Sequence, residues 1–223
     1  MSTRDESWSR LQTASWNSAP GIARMMAAAG ATPQLLSQGV ASYISDEYSV
    51  KIRSFPVGMT AEQIIQEFAI NPNKAVNNGL FSAVNVFVRR TPGTPPAVGD
   101  IYNIDLVGPD DGCVMIVEMS SGFGISTNPS GAYFDVQAIT TPEFGTLPEF
   151  GAREFGFEYG ASTAMFYTRG VSRARDIAAG VVGKIPQQVG WIAAMTGIRD
   201  RIRVAGGNAE EEVNRFFKVV PPG

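Results

Sequence analysis

The stretch EFGFEYGASTAMFYTRG, residues 154–170, predicts a β-hairpin and decides the type of fold. Aromatic residues occupy every second position of Phe155–Tyr159, as they do in a half-buried strand. Ala161-Ser162 can form a two-residue turn, after which Met165–Val171 forms the returning strand. One face of this hairpin is therefore aromatic, and the other face is polar.

The turn fixes which residues lie opposite each other in the hairpin. The predicted pairs are Glu154 with Arg169, Gly156 with Tyr167, and Phe157 with Phe166. Opposite charges meet in the first pair, a ring covers a glycine in the second, and two rings meet in the third, as cross-strand pairing favours. The aromatic face then carries Phe155, Phe157, Tyr159 and Phe166, and the polar face carries Glu154, Glu158, Tyr167 and Arg169.

Further strands are predicted from alternation, or from short apolar runs that lie between turn signals. They are Tyr48–Phe55, Ser82–Arg90, Asp100–Val107, Cys113–Met119 and Tyr133–Ile139. The segment Gly108–Gly112 combines proline and glycine and predicts a hairpin turn. Gly122-Phe123-Gly124 predicts a turn or bulge, since neither a third glycine nor a helical pattern follows it.

Helices are predicted before the strands begin. One covers Gly21–Ala29, and a second begins at Thr32-Pro33 and extends to Ile44, because its apolar residues have the spacing of one buried helix face. Thr60 and Gln63 have the spacing of a capping box, which predicts the start of a third helix.

Helical spacing returns after the last predicted strand. A long helix is predicted from about Arg175 to Ile202, and Pro186 is expected to kink or divide it. Asn208 is a predicted cap for a final helix over Ala209–Phe217.

The order of these elements resembles the helix-grip fold of the START and polyketide-cyclase superfamily. Three segments, Phe144–Pro148, Gly151–Phe155 and Tyr167–Arg173, look like an uncharacterised bacterial family of that superfamily. The resemblance implies an α+β fold in which a curved antiparallel sheet wraps a long C-terminal helix. Residues 1–47 would form an N-terminal helical extension, and residues 48–223 the helix-grip domain.

Composition argues against several classes of function. The net charge is −3, the pI is about 5.1, and the 18 basic residues are scattered, which disfavours nucleic-acid binding. The polar start of the chain lacks the pattern of a signal peptide, and no run approaches the ~20 apolar residues of a membrane span. A cytoplasmic protein is therefore expected.

The chain contains no histidine and one cysteine, Cys113. This composition excludes Ser-His-Asp and Cys-His catalysis and the usual zinc sites, so no metal or cofactor is predicted. Cys113 begins an apolar run and is predicted to be a buried structural thiol. Any acid–base chemistry would need carboxylates, tyrosine, lysine or water.

The aromatic face of the hairpin is the predicted ligand site. In a helix-grip fold it would line a cavity closed by the C-terminal helix, or the same side chains would simply form solid core. The candidate residues are Phe155, Phe157, Tyr159, Phe166, Trp191 and Met195. On the polar face, Glu158 and Tyr167 would be an acid–base pair or part of a solvent-facing strand surface. No catalytic residue is assigned.

Three functions are consistent with these patterns. The first, implied by the resemblance, is the binding of a hydrophobic small molecule between sheet and helix. The second is a cyclase- or dehydratase-like reaction that uses tyrosine and carboxylates in that cavity. The third is a structural subunit that docks a protein partner through the apolar region 19–44.

Overall fold

The computed structural model describes residues 4–76, 87–105, 111–120, 123, 131–176 and 184–220. In chain order, its helices and strands are α1 (Arg4–Thr13), α2 (Pro20–Ala28), β1 (Thr32–Pro33), β2 (Val40–Ser54), α3 (Ala61–Ile70), α4 (Asn73–Val76), β3 (Phe87–Arg89), β4 (Ile101–Ile104), β5 (Gly112–Met119), β6 (Gly131–Thr140), β7 (Glu149–Tyr159), β8 (Ala164–Ala174), α5 (Lys184–Val204), β9 (Asn208–Ala209) and β10 (Asn214–Val220).

All the strands belong to one sheet, whose order is β10-β2-β8-β7-β6-β5-β4-β3, while β1 pairs with β6 and β9 pairs with β2. Every pairing among the described strands is antiparallel. The predicted hairpin register is confirmed, with Glu154 opposite Arg169. Its two-residue turn is also confirmed, because the Gly160 amide donates to the Thr163 carbonyl at 2.7 Å.

The sheet curves around the C-terminal helix. The Trp191 ring of α5 lies 6.1 Å from the Phe87 ring on β3 and 5.4 Å from the Phe155 ring on β7. These two strands are four steps apart in the sheet, which would be roughly 19 Å in a flat sheet. One indole can contact both only because the sheet bends, so the predicted α+β helix-grip fold is confirmed.

Each face of the sheet carries its own hydrophobic core. We call the face toward α3 and α5 the grip face, and the face toward α1 and α2 the outer face. The grip-face core includes Val50, Ile52, Ile64, Phe68, Phe134, Phe166, Ile198 and Ile202. The outer-face core includes Trp8, Leu11, Trp16, Ile22, Met26, Met115 and Val171. Both faces are therefore packed, and the sheet is the central layer of the fold.

The predicted helix over Thr32–Ile44 is wrong, because β2 begins at Val40. The spacing of four residues between Val40 and Ile44 fits a helix face, but it also fits one side of a strand, since four is an even number. Pairing with β8 on one side and β10 on the other decides in favour of the strand. The predicted division between residues 47 and 48 falls within β2.

The C-terminal predictions also need correction. The chain from Asn208 forms β9 and β10 rather than a helix, because Phe216, Phe217 and Val219 favour a strand and β2 offers a free edge. Pro186 does not divide α5, since it lies in the first turn, where a missing amide hydrogen costs little.

Some predicted segments lie partly outside the described residues. They are residues 82–86 of one strand, 106–107 of the strand Asp100–Val107, 108–110 of the hairpin turn, 122 and 124 of the Gly-Phe-Gly turn, and 177–183 of the long helix. The predicted capping box is confirmed, since Gln63 N–H donates to Thr60 Oγ1 at 3.3 Å and Thr60 N–H donates to Gln63 Oε1 at 2.9 Å.

Candidate functional site

The six predicted ligand-binding residues all face the grip side of the sheet. Phe155, Phe157, Phe166 and Met195 are buried, and Tyr159 and Trp191 are half-buried. The rings of Phe157 and Phe166 lie 5.7 Å apart, and the ring of Tyr159 lies 5.3 Å from that of Phe157. This part of the predicted site is closely packed. Of the six residues, only Phe155 and Trp191 belong to a series of touching rings that reaches an open space.

An open space lies at one end of the grip face. A pocket of about 700 Å³ is bounded by the end of α3, the proline-rich loop before β4 and the end of β5. Its described lining includes Gln66, Ile70, Pro95, Pro96, Met119 and Phe123. We call this pocket the opening. Sequence analysis missed it because the lining comes from segments far apart in the chain, and only curvature of the sheet brings them together.

A row of touching aromatic rings leads inward from the opening. Phe123 lies 5.7 Å from Phe134, which stacks on Phe155 at 5.3 Å, and Phe155 meets Trp191 at 5.4 Å. Phe134 and Phe155 are directly opposite each other in the β6–β7 ladder, so the strand register itself aligns their rings. We call Phe123, Phe134, Phe155 and Trp191 the aromatic row.

A buried group of polar residues lies at the inner end of the aromatic row. The guanidinium carbon of Arg153 is 4.4 Å from the centre of the Trp191 ring. Arg153 Nη2 donates to both carboxylate oxygens of Asp46, at 2.6 and 2.9 Å. Arg153 Nη1 donates to Thr168 Oγ1 at 3.1 Å. These residues, together with Tyr48, form what we call the polar island.

The missing side chain of Gly170 allows this ion pair to form. Gly170 lies between Arg153 and Asp46 in the cross-strand register. A Cβ atom at this position would lie 2.3 Å from Arg153 Nη2, so the guanidinium crosses β8 only over a glycine. Burial raises the pKa of Asp46, and the positive charge and hydrogen bonds of Arg153 limit that rise.

Two buried polar atoms in this region have no hydrogen-bond partner among the described residues: Tyr48 Oη and Trp191 Nε1. Tyr48 is fully buried and lies opposite Thr168 on β8, which in turn lies opposite Phe155 on β7. Burial, and then the charge of Asp46, raise the pKa of Tyr48 well above its ordinary value, so its hydroxyl stays protonated. An unpaired buried polar group costs about 1–3 kcal/mol, so one in the aromatic row and a second two strands from Phe155 call for a reason.

The outer face carries a second buried polar group, which crosses four strands in register. Asp135 on β6, Glu154 on β7, Arg169 on β8 and Glu47 on β2 lie side by side. All four side chains are buried, and we call them the acidic row. The interpretation of the polar hairpin face as a solvent-facing surface is therefore wrong.

Helix α1 supplies the charges and donors that the acidic row needs. Arg10 donates to Asp135 at 2.9 and 3.3 Å and also to Glu154. Arg4 donates to Glu47 at 2.9 Å, and Ser7 Oγ donates to Glu154 at 3.1 Å. Two arginines on one short helix thus compensate carboxylates that the sheet has placed out of water.

Burial has the largest effect on the pKa of Asp135. Together with the charge of Glu154, it raises the pKa of Asp135 to about 8, although Arg10 opposes this rise. The predicted pair of Glu158 and Tyr167 also lies on the outer face. Glu158 makes an ion pair with Arg169 at 3.6 Å, and Tyr167 is buried against the same guanidinium, so the pair does not face the opening.

Other predicted features have simpler outcomes. Cys113 is a free, buried thiol in the outer-face core. Within the described ranges, no group of histidine, cysteine or acidic residues has the arrangement of a metal site. None of the helices described is both long enough and apolar enough to cross a membrane.

No protein family model matches this chain, and no curated protein matches it. Among solved structures, a hypothetical protein from Helicobacter pylori is similar with a TM-score of 0.47 and 10% identity, over 70% of this chain and 86% of that one. Norcoclaurine synthase from Thalictrum flavum, in complex with dopamine and hydroxybenzaldehyde, has a TM-score of 0.44 and 11% identity, over 76% and 90% of the two chains.

The human StarD13 lipid transfer and protein localization domain is similar with a TM-score of 0.42 and 12% identity, over 70% of this chain and 75% of that one. At these values the similarities carry no inference about a ligand or a reaction. The class of protein is defined by its own architecture: an α+β helix-grip protein with additional helices on the outer face and a strand after the C-terminal helix.

Proposed function

We propose that this protein binds an amphipathic small molecule on the grip face. The apolar part would enter the opening and lie along the aromatic row, and the polar group would meet the polar island. One observation carries this proposal: an unbroken series of ring contacts joins an apolar opening to a buried site with two unpaired polar atoms. A pocket of about 700 Å³ falls within the range of small-molecule sites.

The two unpaired polar atoms, one on Trp191 of the aromatic row and one on Tyr48 of the polar island, indicate the chemistry of the ligand. Trp191 Nε1 can only donate a hydrogen bond, and the protonated Tyr48 hydroxyl can donate or accept one. Asp46 is already occupied by Arg153. The ligand therefore needs an acceptor, which a carbonyl or hydroxyl oxygen provides. We expect its polar end to be uncharged, because a buried carboxylate would share with Asp46 the compensation that Arg153 provides.

The aromatic row is filled by its own side chains, so binding requires some of them to move. Phe123 is half-buried and borders the opening, and it is the ring that an entering ligand meets first. Displacement of its ring would admit the ligand, and Phe134, Phe155 and Trp191 would also have to shift aside for the polar group of the ligand to reach the polar island.

The two alternatives gain less support from the geometry. Glu158 and Tyr167 lie beside Arg169 on the outer face, so they are separated from the opening by the sheet. In the region 19–44, Ile22, Met26 and Leu36 are buried in the outer-face core of this same chain. A reaction and a docked protein partner at residues 19–44 stay untested predictions.

Replacing Tyr48 with phenylalanine separates binding from folding. Tyr48→Phe removes a buried hydroxyl that has no partner among the described residues, so the free protein should keep its stability or gain up to about 1 kcal/mol. Binding of acetylnaphthalene should weaken about tenfold, as for the loss of one hydrogen bond at a buried site. Binding of ethylnaphthalene, which has the same shape but no acceptor, should not change.

The matched control for this variant is Tyr43→Phe. Tyr43 lies on the same strand but packs on the outer-face core, so its hydroxyl should not affect either compound. Thermal unfolding and fluorescence titration measure the two effects. Equal loss of affinity for acetylnaphthalene in both variants, or no loss in Tyr48→Phe, would contradict the proposed polar contact.

A further inference from the structure

The C-terminal strand β10 exposes an apolar edge of the sheet. Phe216 and Phe217 are each 44% exposed and Val219 is 64% exposed, so three large apolar side chains lie along seven residues. Phe216 faces the outer side, where its ring is 5.6 Å from that of Trp8, and Phe217 faces the grip side, 5.6 Å from Tyr48. Apolar surface is thus exposed on both sides of the same strand.

The backbone of β10 is also available for pairing. One side of β10 pairs with β2 over all seven residues from Asn214 to Val220. No described strand pairs with its other side. Such a strand presents a row of amide and carbonyl groups that another strand can bind, and long apolar edges are usually protected against this. Here the only charged residues of the strand are Arg215 and Lys218.

The sequence of β10 suits pairing with a second copy of itself. In an antiparallel ladder, two residues that lie opposite each other either both point their backbone groups toward the partner strand or both point them away. Self-pairing of β10 is therefore restricted to registers that are centred on a residue, and registers centred between two residues are excluded. Among those registers, the one centred on Phe217 pairs the whole strand, with Asn214 of each copy opposite Val220 of the other. The registers centred on Arg215 or Lys218 would place like charges directly opposite each other, which is unfavourable.

The register centred on Phe217 also gives each charged residue an acceptable neighbour. Phe217 lies opposite Phe217 of the second copy, so the two rings meet on the grip side. Phe216 lies opposite Lys218 of the second copy, so on the outer side the aliphatic stem of the lysine packs beside a ring that the Arg4 guanidinium of its own chain already covers at 4.3 Å. Arg215 lies opposite Val219. Favourable pairs and full use of the strand therefore coincide in one register.

We propose that two copies of this chain associate through β10, antiparallel and about a two-fold axis at Phe217, to form one continuous sheet. The contact is the same patch on both copies, so it closes as a dimer. The proposal does not rest on the proposed ligand, since it uses the free edge of the strand, but its central residue Phe217 packs against Tyr48 of the polar island.

Sedimentation measurements over a range of concentrations test the association. The full chain should show a monomer–dimer equilibrium, and Phe217→Lys should raise its dissociation constant about tenfold or more, because two ammonium groups would then face each other. The matched control is Val57→Lys, which introduces the same charge at a fully exposed turn position away from β10. A monomer at every concentration up to about millimolar, or equal effects of the two lysines, would overturn the proposal.

Cysteine cross-linking tests the register without relying on the stability of a lysine variant. Mild oxidation of Phe217→Cys should give a covalent dimer, because directly opposite residues have the Cα separation of a disulfide. A mixture of Phe216→Cys and Lys218→Cys should cross-link to each other more than either does to itself. The natural Cys113 is fully buried and serves as the internal control in the parent chain. Cross-linking with no preference for these pairs would show that β10 does not pair in this register.

Discussion

Replacing Arg10 with methionine is expected to lower the free energy of unfolding by about 3–5 kcal/mol, because removal of one partner leaves buried charge without compensation. Arg10 contacts Asp135 and Glu154, whose side chains are both fully buried, while its own side chain is 20% exposed. Methionine retains most of the aliphatic stem, so the loss reports the charge and its hydrogen bonds rather than packing. Chemical denaturation of both proteins gives the difference directly.

Arg24→Met is the matched control for this variant. Arg24 is exposed on α2, the next helix of the chain, and its loss should change stability by less than about 0.5 kcal/mol. Adding Glu154→Gln to Arg10→Met should recover part of the lost stability, since Glu154 is the other buried carboxylate that Arg10 contacts and one uncompensated charge is removed. If Arg10→Met costs no more than Arg24→Met, the described contacts of α1 do not hold it against the sheet.

The stability of the protein is expected to fall as the pH rises from about 5 to 8, and Asp135 is the main reason. Its pKa is about 8 in the folded protein, whereas an aspartate in an unfolded chain has a pKa near 3.9. Between these two values the folded state holds a proton that the unfolded state has released. Stability therefore decreases with pH in this window, by up to about 1.4 kcal/mol per pH unit.

Asp135→Asn isolates this effect. Asparagine cannot ionise, so the variant should lose less stability than the parent between about pH 5 and pH 8. Burial also raises the pKa of Asp46 and Glu158, which adds to the same trend. Hydrogen bonds from Arg4 and Arg169 lower the pKa of Glu47, so Glu47 is ionised in both states above pH 5 and adds no slope in this window. These contributions are common to both proteins. Parallel stability curves for parent and variant would contradict the assignment to Asp135.

The hairpin of β7 and β8 could be predicted from sequence because its information is local. A two-residue turn fixes the register, and alternate aromatic residues fix the face that is buried. The antiparallel sheet was predicted from strands with alternating apolar residues, and the C-terminal helix from the change to helical spacing of apolar residues after the last strand. The capping box at Thr60 was equally readable, because its two hydrogen bonds join residues three positions apart.

The role of α1 could not be predicted in this way. Hydrophobic patterning treats arginine, serine and glutamate as exposed, and it gives no signal when such residues are buried against each other. The partner of Arg10 is Asp135, which is 125 residues away along the chain. Only the folded sheet shows that the two arginines of α1 face its buried carboxylates.

Only part of the ligand site could be predicted, because the rest depends on contacts between segments that are far apart in the chain. Phe155 and Trp191 belong to the aromatic row, and local alternation identified the first of them. Phe157, Phe166 and Met195 share the same face but lie deeper in the packed core. The opening itself depends on how far the sheet bends, which places Ile70, Met119 and Phe123 around one space. The polar island was missed because Asp46 lies in a segment that was predicted as part of the N-terminal extension.

The most direct measurement of the proposed function is a calorimetric titration of acetylnaphthalene into the parent protein, Ile70→Trp and Val204→Trp. Ile70 borders the opening, and Val204 does not; each is the last residue of its helix and exposed. We expect the parent and Val204→Trp to bind with the same affinity, and Ile70→Trp to bind at least about tenfold more weakly because the indole fills the opening. Absence of binding to the parent protein, or equal binding to all three, would contradict a ligand site at this opening.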